Sequence, residues 1–180
     1  MKQNTLMFLA AILLILAAAM SRLVLYPVNF SPVIAMALFG GSVIRDKKYA
    51  FALPLFAMFI SDLLFEVLNI APGFWGWGQV VSYAILGGIT VLGFYLRKRS
   101  VANITLFAVL ASLLFFLLSN ASVWMFDTSF YKQNFTGLVD CIAAGIPFLK
   151  NQLVADLVYS GLLFGGYALV ERKSSVGVAS

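Results

Sequence analysis

The sequence predicts an all-α, polytopic membrane protein, one integral domain over residues 1–180 with six transmembrane helices and an extra short interfacial or re-entrant segment before the last. Three observations carry this prediction. Composition is the first: 62% of residues are hydrophobic and 11% charged, against about 45–50% and about 25% in ordinary soluble domains. That leaves too few charged groups to cover a water-facing surface. The second is a series of apolar runs of roughly membrane-spanning length. The third is the placement of Lys and Arg, which separates alternate joints between those runs.

The first span, residues 5–21, follows Lys2 and ends in Ala17-Ala18-Ala19. It is longer than the roughly 7–15 apolar residues of a signal peptide, so it is expected to be a retained helix. The second span covers 25–44, with Pro27, Asn29, Ser31 and Pro32 disturbing its start. Spans three to five cover 49–65, 80–96 and 101–126, the last long enough to tilt or project beyond a bilayer. The sixth covers 153–170. Residues 137–149 are apolar but contain Asp140, Gly145 and Pro147, and are too few to cross about 30 Å as a separate helix, hence the interfacial or re-entrant reading.

Six spans put nine of the twelve basic residues on one side: Lys2, Arg45, Lys47, Lys48, Arg97, Lys98, Arg99, Arg172 and Lys173. By the positive-inside rule both termini are then cytoplasmic. The net charge of +5 therefore reads as a topology signal rather than as a nucleic-acid surface. With no His and one Cys, the chain lacks zinc-protease motifs, Cys/His pairs and an internal disulfide. No metal and no cofactor are expected, and Cys141 reads as inert.

The polar residues gather on the side opposite the basic clusters. Asp156 lies six residues past Lys150, about 9 Å inside the apolar layer if a helix starts there. A carboxylate at such depth costs about 2.5–3.5 kcal/mol on insertion scales unless it faces a cavity or a partner. Pairing with Arg22 or Lys150, aided by Tyr159 and Ser160, is the structural alternative to a binding role. Asp62 and Glu66 lie one turn apart on one face, where a solvated rim is the simpler expectation. The irregular stretch Tyr26-Pro27-Val28-Asn29-Phe30-Ser31-Pro32 frees backbone groups near membrane depth, which is tolerated where it lines protein or a wet cavity. Trp75, Trp77 and Trp124 fall on the same side, as an aromatic belt or as stacking groups for a planar ligand. Gly40-Gly41, Gly87-Gly88 and Gly161-x-x-x-Gly165 are expected to pack helices together within the chain.

Asn29-Phe30-Ser31-Pro32-Val33 running into Ala37-Leu38-Phe39-Gly40-Gly41, Ser61-Asp62-Leu63-Leu64, Asn120 to Trp124, and Asn151 through Asp156-Leu157-Val158-Tyr159-Ser160 to Gly165 resemble a family of small, uncharacterised bacterial inner-membrane proteins. The size, span count and loop placement are in turn similar to the substrate-binding S components of ECF-type vitamin transporters. That likeness implies a vitamin-like or cofactor-like small molecule bound among the outer loops and helix ends, and a shared transmembrane subunit with ATPases as partner. S components present Ala-x-x-x-Ala in their first helix to that subunit, whereas this chain has Ala17-x-x-x-Ser21.

The expected function is thus binding and uptake of a small molecule, with Asn29, Asp62, Asn120, Asn151, Asp156 and Tyr159 as polar contacts and Trp75, Trp77 and Trp124 as stacking groups. A structural or assembly role in the cell envelope is the alternative. An enzyme is not expected: Asp62 and Asp156 would have to act as an acid/base pair, and neither a Gly-x-Gly-Asp motif nor a Ser/His pair is present.

Overall fold

The structure is a computed structural model and describes residues 2–24, 28–126 and 129–176. Tyr26 and Pro27 of the irregular stretch lie outside the described residues. Six helices follow in order: α1 (Lys2–Ser21), α2 (Val33–Val43), α3 (Lys47–Val67), α4 (Trp77–Tyr95), α5 (Val101–Phe126) and α6 (Phe135–Val176). No strand occurs among the described residues. Local chemistry sets several boundaries. Asp46 accepts from the Lys48 amide at 2.9 Å and caps α3. Ser100 and Asn134 accept from the Asn103 and Gly137 amides at 3.3 and 2.9 Å, satisfying donors that the first turns of α5 and α6 leave open. The chain leaves α3 through Asn69, whose φ of 53° is left-handed.

α1, α3, α4, α5 and α6 are long and apolar enough to cross a membrane. α2 is not, and the expected second span is corrected on this point. Its 11 residues extend only about 16 Å, because the helix starts after Pro32 and the chain before it turns through Asn29 at φ 61°. α2 is nevertheless the most buried element, with Ile34 through Gly41 all enclosed. Gly40 and Gly41 make this possible. A Cβ at Gly41 would lie 2.1 Å from the Thr90 carbonyl oxygen of α4, and one at Gly40 would lie 2.7 Å from the Pro54 ring of α3. The expected packing role therefore holds for Gly40-Gly41, joined by Gly93, whose Cβ would meet the Leu38 carbonyl at 2.5 Å. It fails for Gly88, Gly161 and Gly165, which face open space.

A second correction concerns residues 137–149. They form no separate interfacial or re-entrant segment but are the first third of α6, a helix of 42 residues and about 63 Å. The polar run Lys150-Asn151-Gln152 does not interrupt it, since both amide side chains find acceptors on neighbouring segments. Pro147 is accommodated inside the helix.

Ends of the helices gather in two groups. At one, Lys47 sits over the Phe94 ring, Arg99 over the Tyr167 ring, and Ser174 reaches Met7. This end carries the Arg and Lys clusters and is termed the basic end; the other is the distal end. Between them the core centres on Phe39 of α2, stacked edge-on against Phe164 and Tyr167 of α6 at 5.2 and 5.7 Å.

Candidate functional site

At the distal end, Arg22 follows α1 directly and reaches α3. Its Nη1 lies 2.7 Å from Asp62 Oδ1 and donates to Ser61 Oγ and, at 3.3 Å, to the Met58 carbonyl. The Phe65 ring lies 5.0 Å from the guanidinium. Asp62 Oδ2 accepts from Gln79 Nε2 at 2.9 Å and from the Tyr83 hydroxyl at 2.8 Å, both on α4. The loop after α3 covers the pair. Gly73 donates to Glu66 at 3.0 Å and accepts from Gln79 at 3.0 Å, and a Cβ on it would lie 2.0 Å from the Asp62 carbonyl oxygen. Asp62 is fully buried, which corrects the expectation of a solvated rim shared with Glu66. A desolvated carboxylate requires a cation and donors around it, and two segments supply them: Arg22 after α1, and Gln79 and Tyr83 of α4.

Asp156 of α6 is also buried, and its partners differ from those expected: Arg22 is engaged by Asp62. Asp156 accepts from Ser112 of α5 and interacts with the Ala35 amide in the first turn of α2. First-turn amides have no helical acceptor, and the positive end of the helix dipole favours a carboxylate there. Asp156 Oδ1 and Ser160 Oγ, one turn further along, have no hydrogen-bond partner among the described residues. Nearby, Asn151 donates to the Val28 carbonyl at 3.0 Å, Gln152 donates to the Ser112 carbonyl at 2.8 Å, and Tyr159 shares a 2.8 Å hydrogen bond with Ser21. These contacts fasten α6 to α5, to the end of α1 and to the segment between α1 and α2.

Next to both networks lies a cavity of about 430 Å³. Its polar groups are Arg22, Asn29, Ser31, Ser82, Ser119, Asn120 and Gln152; its walls are Met58, Leu86, Phe115, Phe116 and Phe148, with Trp75 contributing an indole. Among the described residues no carboxylate lines it. The left-handed turn at Asn29 brings the chain back so that Ser31, Val33 and Ile34 form the α2 side of the cavity. Asn120 donates to the Phe116 carbonyl at 2.7 Å, and Gly145 lets α6 approach it: a Cβ there would be 2.6 Å from Asn120 Oδ1.

Of the residues expected from sequence, Asn29, Trp75 and Asn120 line this cavity. Asp62, Asn151, Asp156 and Tyr159 stand behind the walls in the hydrogen-bond networks that fix them. Trp77, 80% exposed at the start of α4, and Trp124 do not line it. The Trp124 indole donates to the Lys132 carbonyl at 3.0 Å and closes the turn between α5 and α6. Ser31 belongs to the irregular stretch expected to line a cavity, whereas Arg22, Ser82, Ser119 and Gln152 are not among the expected contacts. A signal for Ser119 exists in the i, i+3, i+4, i+7 stripe Phe116, Ser119, Asn120 and Val123, all on the cavity face of α5.

Among the described residues no cluster of three or more Asp, Glu or Cys could hold a metal ion. Cys141 is buried, and its thiol donates to the Asn120 carbonyl at 3.3 Å.

Fold and cavity define a helical bundle of membrane-crossing length with a polar-lined, small-molecule-sized chamber at one end. Within that class, the chain belongs to the family of unknown function DUF6580, whose model matches residues 2–177. No curated protein and no solved structure matches it.

Proposed function

We propose that this chain is a bacterial inner-membrane protein, both termini cytoplasmic, that binds a small vitamin-like or cofactor-like molecule in the distal cavity for uptake. The observation that carries the reading is the cavity itself. Its volume of about 430 Å³ falls within the roughly 300–1,000 Å³ of small-molecule sites, and it has their composition of aromatic walls with a few convergent polar groups. Arg22 is neutralised by Asp62 and no carboxylate among the described residues lines the walls, which favours an uncharged cargo with a flat apolar body and several hydrogen-bonding groups. The positive-inside rule supports the basic end as cytoplasmic, which makes the distal cavity an outer site. The S-component analogy fits this side of binding, with a transmembrane and ATPase module as the corresponding partner. Ala17-x-x-x-Ser21 in place of Ala-x-x-x-Ala is equally compatible with a chain that works without one.

Asn120→Leu and Gln152→Leu test the site, because each removes an amide while keeping its approximate volume. Binding of the molecule released from the wild-type protein is expected to weaken by at least about tenfold in each, the equivalent of one lost buried hydrogen bond. Unchanged affinity in both folded variants removes the cavity from the binding reaction.

A role in envelope assembly is the second reading, favoured by the exposed Phe126, Phe130 and Phe135 around the α5–α6 turn. Exposed aromatic groups of this kind suit a protein partner.

A further inference from the structure

A second cavity, of about 630 Å³, opens at the basic end between α1, the α2–α3 joint and α6. Its charged groups are Arg45, Asp46, Arg99 and Glu171. The formal balance is neutral, but these groups are not equally available. Asp46 is engaged by the Lys48 amide as the cap of α3, and Glu171 lies 3.5 Å from Arg99. Arg99 is further held with its guanidinium 5.4 Å from the centre of the Tyr167 ring. Arg45 is exposed and forms no ion pair among the described residues. One cation with open donors thus shares the cavity with Arg99, whose 3.5 Å pairing with Glu171 is partly exposed on both sides and so weakly held, in a field raised by Lys47, Lys48, Arg97, Lys98, Arg172 and Lys173 at the same end.

The rest of the lining mixes the polar groups of Asn4, Ser42, Tyr49 and Tyr167 with an apolar wall made by Met7, Phe8 and Ala11 of α1 and by Val43 and Ile44. A site with arginine forks at its mouth and an apolar helix face beside it matches an amphiphile with a phosphate head. The volume exceeds what a bare phosphate ion would fill.

We propose that the basic-end cavity is a binding site for an anionic phospholipid, its headgroup phosphate held by Arg45 and Arg99 and its acyl chains laid along α1. Such basic pockets between membrane helices are a recognised form of lipid site. The site is separate from the distal cavity, and its failure would leave the uptake reading untouched.

The test is native mass spectrometry of the full chain released from nanodiscs of phosphatidylglycerol and phosphatidylcholine in equal amounts. The expected result is retained phosphatidylglycerol in preference to phosphatidylcholine, falling at least about fivefold in Arg45→Gln, whose exposed side chain no fold contact needs, and little changed in Arg97→Gln. The latter removes one charge from the same end outside the cavity. Arg99→Gln is expected to lose the lipid as well. Equal loss in Arg45→Gln and Arg97→Gln would reduce the effect to unspecific charge and overturn the proposal, as would equal retention of both lipids. Displacement of the lipid by millimolar inorganic phosphate would overturn the lipid assignment in favour of a soluble phosphate ligand.

Discussion

Asp62 and Asp156 are the same residue type, each at most 1% exposed and each on a helix long and apolar enough to cross a membrane, yet the fold treats them in opposite ways. Asp62 is neutralised by a cation and held by two further donors, under a loop that folds back over it. Asp156 has one hydroxyl, the amide end of α2 beside it and an oxygen with no hydrogen-bond partner among the described residues. The first arrangement is a structural clasp joining α1, α3 and α4. The second ties α6 to α5 beside the first turn of a half-length helix, with no full charge opposite it. Burial of a carboxylate alone therefore says little about its role; the partners do.

The sharpest way to break this comparison is at Arg22. Arg22→Ala leaves Asp62 as an uncompensated buried charge and is expected to cost about 3–5 kcal/mol, measured by unfolding in detergent. The double variant Arg22→Met, Asp62→Leu is expected to recover most of that loss, since both desolvation costs vanish together. If the double variant is as unstable as the single, the pair is not the clasp described. Next in size is the same substitution at both carboxylates. Asp62→Asn strands Arg22 and should destabilise by several kcal/mol, whereas Asp156→Asn keeps an acceptor for Ser112 and should cost no more than about 1 kcal/mol. Equal costs would erase the distinction. Ser112→Ala, by removing the hydroxyl that Asp156 accepts from, is expected to fall between, at about 1–3 kcal/mol. Smallest of all is Trp77→Ala, within about 0.5 kcal/mol and with cargo binding unchanged, because the side chain stands in the open. A loss of binding there would return Trp77 to the site.

Much of this was readable in the sequence where the signal is local. The fifth span is predicted and observed at 101–126, and the expected third and fourth spans fall within three residues of α3 and α4 at each end. Where the determinant is tertiary, the reading failed. Hydropathy over 25–44 suggested a full span, but Asn29 and Pro32 confine the helix to 33–43, and burial on all sides, rather than length, accounts for its apolar character. Lys150-Asn151-Gln152 looked like an interface because the acceptors that keep α6 continuous, the Val28 and Ser112 carbonyls, belong to distant segments. Asp62 looked solvated because Arg22, Gln79 and Tyr83 approach it from other parts of the chain. In the cavity, Asn29, Trp75 and Asn120 were visible as isolated polar or aromatic residues, while Gln152 and Ser119 enter through helix rotation and packing.

The most direct test is native mass spectrometry of the wild-type protein extracted gently from its own membranes, followed by release and identification of whatever it carries. One small organic molecule per chain, lost in Asn120→Leu and Gln152→Leu, is the predicted result. A chain that carries no small molecule and instead holds a stoichiometric protein partner would contradict uptake and transfer the distal end to envelope assembly.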